Sequence, residues 1–236
     1  MPDLARRHFN YALLASATTL AAAPLRAISA PVRPDENSAL IVVDVQNCFV
    51  TGGTLPVNNG EQVVPVINKL AKAFANVVIT QDWHTSGHVS FASSHKGKRP
   101  FDTAKLAYGN QVLWPDHCVQ GRPGAALAPG LKTTGIAHVF PKGESPSVDS
   151  YSGFFDNGRR RATGLAAWLR SRGVTEVDVV GLATDYCVKA TAMDAVGEGF
   201  ATRVLLEGCR GVELAPGDTA RAVAAMREGG VTVVGA

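Results

Sequence analysis

Cys187 is the residue with the clearest capacity for covalent chemistry, and it lies in the segment 177–189, which reads VDVVGLATDYCVK. An apolar run of strand character ends in this segment and a helical pattern resumes through Ala190 and Val196, so Cys187 is predicted in the first turn of a helix that follows a buried strand. Unpaired amides and the helix dipole favour an anion at that position, and the thiolate is the nucleophilic form of cysteine. A buried structural cysteine is the alternative, and it is the commoner role of a single cysteine.

Polar side chains also follow three other apolar runs of the chain, at the point where each run ends. They are Asp44 after the run 39–43, Asp82 and His84 after 76–80, and Lys142 after 138–140. In sheets of parallel strands, ligands bind outside the carboxyl ends of the strands. These residues and Cys187 are therefore the candidates for a functional site.

The pair Asp82 and His84 has the spacing of two metal ligands. The two-residue period of a strand directs both side chains to the same face, and a carboxylate beside an imidazole suits a hard to borderline ion that needs one or two more donors. About fifty residues of weak regular structure follow, and a loop of that length is usually functional. It contains His88, His95 and His117. A surface or capping role is the alternative for any one histidine, and it is the role we expect for His95.

A parallel sheet would bring these residues together. Apolar runs predict six strands, at residues 39–43, 76–80, 138–140, 176–182, 201–206 and 231–234, and helical patterns predict helices at 59–74, 162–172, 185–198 and 218–228. The alternation of strands and helices predicts a three-layer α/β/α fold around a six-stranded parallel sheet. With 236 residues, 46% of them hydrophobic, the chain is long enough for one such domain, which we place at residues 38–236.

Two functional classes are disfavoured by the sequence. The first strand-to-helix turn reads DVQNCF, without the glycine pattern of a dinucleotide site, and the motif GEG at 197–199 leads into a strand instead of a helix. This argues against a nucleotide-dependent oxidoreductase. The formal net charge is only +3 and no basic cluster stands out, so nucleic acid is not an expected partner.

The cysteines carry no signature of a disulfide framework. There are four of them, at positions 48, 118, 187 and 209, with irregular spacing and no Cys-x-x-Cys pair. We therefore expect a reduced or mostly unpaired set, with any pairing among Cys48, Cys118 and Cys209 left open.

The first thirty residues have the order of an export signal. Arg6 and Arg7 precede Phe9 and an uncharged run at 11–23, and Arg26 stands before a small-residue stretch. The run is too short to span a bilayer as a helix, and the paired arginines resemble the twin-arginine type of signal. We expect an export signal at 1–30, a linker at 31–37, and a mature periplasmic or secreted protein that is not integral to the membrane. An N-terminal extension on a cytoplasmic protein is the alternative.

Five motifs together resemble the nicotinamidase/pyrazinamidase family of isochorismatase-like cysteine hydrolases. They are DVQN-x-F at 44–49, QDWH-x-x-x-H-x-SFA at 81–92, WP-x-HCV at 114–119, KG at 142–143 with YSGF at 151–154, and GLATDYCV at 181–188. They occur in the family's order, and the resemblance extends from residue 38 to the end of the chain. It implies the isochorismatase-like hydrolase fold and hydrolysis of nicotinamide, or of pyrazinamide-like aromatic carboxamides, to the acid and ammonia through a cysteine thioester.

The resemblance also implies roles for individual residues. Asp44 would be the base, Lys142 the cation that holds the charged groups together, and Cys187 the nucleophile. The oxyanion donors would be the backbone amides of Ala183 and Cys187, reached through a peptide bond between Leu182 and Ala183 that is often cis in the family. The side chains of Phe49 and Trp114 would enclose the substrate ring.

A divalent metal ion is the implied cofactor. The family's ligands correspond to Asp82, His84 and His117, while His88 matches a position that binds metal in some members and not in others. Zn²⁺ is the first expectation for this ligand set, with Mn²⁺ or Fe²⁺ as alternatives. Whether the ion acts on water or anchors the ring nitrogen stays open, as does assembly into a homo-oligomer.

Two other functions remain as alternatives. One is a related cysteine hydrolase acting on N-carbamoyl or ureido amides, or an isochorismatase; the trio Asp82, His84 and His117 argues against these. The other is a non-catalytic metal-binding sensor, which is difficult to reconcile with an intact set of Asp44, Lys142 and Cys187.

Overall fold

The computed structural model of the protein describes residues 34–235. The predicted export signal lies outside this range. The strands are β1 (Ser38–Val43), β2 (Asn76–Asp82), β3 (Thr103–Leu106), β4 (Gly109–Val112), β5 (His138–Lys142), β6 (Glu176–Leu182), β7 (Ala201–Arg210) and β8 (Thr232–Val234). The α-helices are α1 (Val63–Leu70), α2 (Leu165–Ser171), α3 (Lys189–Gly197) and α4 (Asp218–Glu228).

Six of the strands form one sheet in the order β5-β2-β1-β6-β7-β8, and every neighbouring pair is parallel. All six side chains of β1 are buried, as expected for a central strand covered on both faces. The connection from β1 to β2 and the connection from β6 to β7 step in opposite directions along the sheet. Right-handed crossovers therefore place α1 on one face and α3 on the other, which confirms the predicted three-layer α/β/α fold.

The reversal of direction between β1 and β6 decides where the site lies. At such a point the two connections leave the sheet on opposite faces, and a crevice opens beyond the strand ends. Asp44 follows β1 directly, and Cys187 lies a few residues beyond β6. The fold thus places the predicted base and the predicted nucleophile on either side of the crevice.

The long segment between β2 and β5 contains more regular structure than the sequence predicts. β3 and β4 form an antiparallel hairpin outside the main sheet. Its strands are only four residues long and mostly half-buried or exposed, and neither contains the continuous apolar run by which the strands of the main sheet are predicted. The predicted helix at 162–172 is also shorter, because Gly164 is left-handed with φ 94° and the helix starts at Leu165.

Candidate active site

Asp44 is held at the carboxyl end of β1 by contacts with the neighbouring strand. Its backbone is left-handed, with φ 49°, and its side chain is fully buried. The Asp44 amide donates to the Thr80 carbonyl at 3.2 Å, and the Thr80 hydroxyl donates to Asp44 Oδ1 at 2.7 Å. Asp44 Oδ2 forms an ion pair with Lys142 Nζ at 2.8 Å. Within residues 34–235 this oxygen has no well-aligned hydrogen-bond donor. This oxygen retains the capacity to accept a proton.

Lys142, the last residue of β5, supplies the positive charge at the centre of the site. Its side chain is fully buried, and Nζ lies 2.8 Å from Asp44 Oδ2 and 2.5 Å from Asp82 Oδ1. The same ammonium donates to the Ser150 carbonyl at 2.8 Å and lies 3.4 Å from Cys187 Sγ. Burial lowers the pKa of Lys142, but the two carboxylates outweigh burial and raise the pKa well above its usual value. The ammonium therefore stays charged and joins two acids to the thiol.

Cys187 lies in a π-helical turn, Thr184–Val188, that precedes α3. The turn confirms the predicted first-turn placement, and the peptide bond between Leu182 and Ala183 is cis. The expectation that the helix start favours a thiolate is wrong for the resting protein. Burial raises the pKa of the Cys187 thiol well above its usual value, Lys142 lowers it, and the Asp44 carboxylate raises it further. Desolvation and the nearby carboxylates outweigh the Lys142 charge, so the thiol is protonated until a base removes its proton.

Asp44 is placed to be that base. Burial raises its pKa, and Lys142 offsets only part of the increase. A carboxylate oxygen of Asp44 lies within 4.8 Å of Cys187 Sγ. A carboxyl with a raised pKa beside a thiol with a raised pKa is suited to receive and return one proton.

The three predicted metal ligands converge at the end of β2. Asp82 Oδ2 lies 3.6 Å from His84 Nε2 and 3.7 Å from His117 Nε2. Donor atoms bound to one ion at about 2.1 Å would lie roughly 3 to 3.5 Å apart, so these residues fit a metal ion with small adjustments. Burial raises the pKa of Asp82, but Lys142 and His84 bring it well below its usual range, as a carboxylate ligand requires.

Backbone carbonyls orient both imidazoles of this group. His84 Nδ1 lies 3.0 Å from the Gly143 carbonyl, and His117 Nδ1 lies 2.8 Å from the Pro115 carbonyl. Because a carbonyl only accepts, each Nδ1 carries a proton, and each Nε2 is the ring nitrogen that faces Asp82. This is the outer arrangement that histidine ligands usually have in metal sites.

A cavity opens above these groups. The predicted aromatic residues Phe49 and Trp114 both line it, together with Cys187, Asp82, His84 and His117. Its mixture of aromatic walls with a few polar groups is typical of a small-molecule site.

Comparisons with known proteins agree with this geometry. The family model described as an Isochorismatase domain matches residues 38–236. The chain belongs to the isochorismatase family. The nicotinamidase of Acinetobacter baylyi is 49% identical to it over 178 residues, which are 75% of this chain and 83% of that protein.

Solved structures extend the comparison. The Acinetobacter baumanii nicotinamidase has a TM-score of 0.83 and 46% identity, covering 85% of this chain and 96% of that chain. The pyrazinamidase of Pyrococcus horikoshii in complex with zinc has a TM-score of 0.68 and 35% identity, covering 84% and 98%. The resemblance of the five motifs and the isochorismatase-like fold are therefore confirmed.

Several cavity residues of this isochorismatase-family chain have no signal in the sequence. They are Leu55, Asp149, Tyr151, Tyr186 and Val212. Tyr151 and Tyr186 lie inside two of the five motifs, but a tyrosine inside a motif does not reveal which cavity it faces. Leu55 and Val212 carry no chemistry of their own, so only the folded chain shows that they face the cavity.

His88 and Asp149 form a second polar group against His84. Ligand atoms of the three residues lie within 4.8 Å of one another. His88 Nδ1 pairs with the Ser90 hydroxyl at 2.7 Å, whereas within residues 34–235 its buried Nε2 has no partner. Burial, followed by the charge of His84, lowers the pKa of His88 to about 4, so the ring is neutral. His95 lies outside this group, and its Nε2 bonds the Val89 carbonyl at 2.7 Å.

The structure pairs two of the four cysteines, where the sequence predicts a reduced or mostly unpaired set and leaves pairing among Cys48, Cys118 and Cys209 open. Cys48 and Cys118 form a disulfide, with their Cα atoms 5.7 Å apart and a sequence separation of 70. No spacing rule pairs residues that distant; they meet because the turn after β1 packs against the loop that carries His117. Cys187 and Cys209 are free and buried within the described chain.

Proposed function

We propose that this isochorismatase-family protein is a nicotinamidase, which hydrolyses nicotinamide and related aromatic carboxamides to the carboxylic acid and ammonia. The observation that carries the proposal is the Lys142 ammonium, 2.8 Å from the Asp44 carboxylate and 3.4 Å from the Cys187 sulfur, beneath an aromatic-lined cavity. A thiol, a base and a cation in contact are the parts that covalent amide hydrolysis needs.

In the first half of the reaction, Asp44 takes the proton of Cys187 and the thiolate attacks the carboxamide carbon. The oxyanion that forms accepts hydrogen bonds from the backbone amides of Ala183 and Cys187; loss of one such donor typically costs about 10² to 10³ in rate. Asp44 then gives its proton to the departing ammonia, which leaves a thioester on Cys187.

In the second half, water attacks the thioester carbon while Asp44 accepts a proton from the water. The carbon–sulfur bond breaks, the acid leaves, and the proton on Asp44 restores the thiol. Lys142 stays protonated throughout and stabilises whichever of the neighbouring groups carries the negative charge. One carboxyl thus serves as base and acid in turn.

The proposed metal ligands are Asp82, His84 and His117, with zinc as the first expectation and manganese or iron as alternatives. A bound divalent ion would supply a Lewis-acidic position beside the carboxamide. The support for it is that two Nε2 atoms lie 3.6 and 3.7 Å from one carboxylate oxygen in a buried site. His88, whose Nε2 has no partner among residues 34–235, is placed to contribute from the other side of His84.

The alternatives are less well supported. The metal-ligand geometry at Asp82 and the aromatic residues Phe49 and Trp114 favour a heteroaromatic amide over an N-carbamoyl or ureido amide. A sensor without catalytic activity would have no use for a thiol in contact with both an acid and a buried ammonium.

We also propose that residues 1–30 are a twin-arginine export signal followed by a linker at 31–37. The disulfide between Cys48 and Cys118 supports an oxidising destination, because such bonds persist mainly outside the cytoplasm. None of the helices in the described part of the chain has the length and apolar character needed to cross a bilayer.

Replacing Arg6 and Arg7 by Lys should retain the protein in the cytoplasm with its N-terminus uncleaved. A wild-type chain found in the cytoplasm with residues 1–30 intact would refute export.

The activity is tested by ammonia release from nicotinamide, with the purified wild-type protein before and after treatment with a chelator. We expect release by the untreated protein, loss after chelation and recovery when zinc is returned. The metal-loaded wild-type protein failing to release ammonia from nicotinamide or pyrazinamide would refute the proposed function.

A further inference from the structure

The loop between β7 and α4 contributes a wall of the cavity. Val212, two residues beyond β7, lines the same cavity as Cys187, Phe49 and Trp114. It is partly buried, and its aliphatic side chain offers no hydrogen bond or charge to a substrate. Such a residue acts on the reaction only through the space that it fills.

A single buried carboxylate holds this part of the loop. Asp185 lies in the π-helical turn, two residues before Cys187, and is only 4% exposed. Its Oδ1 accepts the Val212 amide at 2.9 Å and its Oδ2 accepts the Glu213 amide at 2.8 Å. Within residues 34–235 neither amide has a backbone acceptor, so Asp185 is their anchor.

The surrounding backbone shows that the loop is pressed closely onto the π-helical turn. A Cβ atom at Gly211 would lie 3.4 Å from Asp185 Oδ1 and would collide with the Thr219 side chain. Glu213 has a left-handed backbone with φ 54°. Farther along, Asp218 accepts the Ala215 amide at 2.8 Å, so the distal part of the loop has its own anchor away from the cavity.

We propose that Val212 is a specificity-determining residue and that Asp185 is the positioning residue that acts through it. Together they set the width of the cavity, so that it admits an unsubstituted six-membered heteroaromatic carboxamide and excludes ring-substituted ones. The inference rests on the proposed amide hydrolysis. Because the wall belongs to the β7–α4 loop, a change at Val212 alters the width of the cavity without replacing Asp44, Lys142 or Cys187.

The test compares kcat/KM for nicotinamide with kcat/KM for its 5-methyl and 6-methyl derivatives. One methylene in an apolar pocket is worth about 10-fold or more in discrimination. Val212→Ala should therefore raise the ratio of methylated to unmethylated substrate by about 10-fold for at least one isomer. Asp185→Ala should raise it for the same isomer and increase KM more than it decreases kcat. Asp185→Asn, which retains one acceptor oxygen, should give an intermediate shift and serves if the alanine variant does not fold.

A double-mutant cycle shows whether Asp185 acts through Val212. If it does, the double variant Asp185→Ala with Val212→Ala changes the substrate ratio no more than the larger single change. The matched control is Asp218→Asn, an acid in the same loop region that anchors Ala215 instead of Val212; it should leave the ratio unchanged.

Three outcomes would overturn the inference. They are an unchanged ratio in Val212→Ala, fully additive effects in the double variant, and a shift in Asp218→Asn as large as that in Asp185→Asn. If the wild-type protein releases no ammonia from nicotinamide at all, the proposed function fails and the inference fails with it. If the wild-type protein is active and only the ratio fails to change, the inference alone is wrong.

Discussion

Two groups of charged side chains in this chain look alike at first and differ in what they can do. Between β6 and β7, Arg203 Nε lies 2.7 Å from Asp178 Oδ1, and Arg203 Nη2 lies 2.8 Å from Asp178 Oδ2. Arg203 Nη1 also lies 3.2 Å from a carboxylate oxygen of Glu176, which is partly exposed. At the carboxyl end of the sheet, Lys142 faces Asp44, Asp82 and Cys187. Both groups contain a cation and two acids, and both contain a fully buried carboxylate.

The difference lies in how completely the charges are matched. Arg203 satisfies Asp178 with a two-point contact, and water reaches both Arg203 and Glu176. Lys142 has no access to water and must neutralise two buried acids beside a thiol. Several titratable groups that share one buried cation shift one another's pKa values, and that is the condition for moving a proton at neutral pH. The ion pair of Arg203 and Asp178 therefore stabilises the sheet, whereas the acids and the thiol that share Lys142 are able to exchange a proton.

The sharpest test of this comparison is removal of the nucleophile. Cys187→Ala should reduce ammonia release from nicotinamide by at least about 10⁴-fold, because the covalent step is lost while the fold is kept. Cys209→Ala, at the other free and buried cysteine, is the matched control and should retain activity. Measurement of turnover, thermal unfolding and metal content distinguishes loss of chemistry from loss of structure. More than trace activity in the Cys187 variant would contradict the assignment.

Removal of the cation should affect activity in one of the two groups and not in the other. Lys142→Met leaves two buried carboxylates uncompensated, and Arg203→Met leaves Asp178 unpaired, so each should lower the free energy of unfolding by about 3–5 kcal/mol. Only the Lys142 variant should also lose activity per folded molecule, by about 10³-fold. Urea unfolding combined with activity measured on the folded fraction checks both. Equal losses of activity in the two variants would erase the distinction.

Removal of the base should change the thiol in a defined direction. The negative charge of Asp44 raises the pKa of Cys187, so Asp44→Asn should lower that pKa while reducing turnover by about 10²- to 10⁴-fold. The rate of alkylation by iodoacetamide, followed against pH, should then rise at lower pH in the variant than in the wild-type protein. An upward shift of the alkylation profile would mean that Asp44 does not face the thiol as proposed.

The metal ligands should give the smallest but most graded set of effects. His84→Ala should weaken metal binding by more than about 100-fold, because it removes a ring nitrogen that faces Asp82. His88→Ala should have a smaller effect, since His88 lies on the far side of His84, and His95→Ala should have none. Competition with a chelator, followed by elemental analysis, measures each. A larger loss of metal affinity in the His88 variant than in the His84 variant would show that the ion binds at His88 and not at the proposed site.

The positions of the sheet strands along the chain, and the polar residues that follow them, could be predicted with little error. Buried parallel strands are continuous apolar runs, and a polar residue directly after such a run is readily recognised. Asp44, Asp82, His84 and Lys142 all follow strands that the sequence predicts, and all lie at the same edge of the sheet. The hairpin of β3 and β4 could not be predicted in this way, because its strands bury little.

By itself, the sequence determined the fold, the family and the types of residue at the site, since these depend on local periodicity and on motifs a few residues long. The tertiary structure alone decided the disulfide between Cys48 and Cys118, the anchoring of Val212 by Asp185, and the protonated state of Cys187. The physical reason is the same for all three. Pairing across long separations and the desolvation of a charge depend on what surrounds a residue after folding, and the neighbours in sequence do not specify those surroundings.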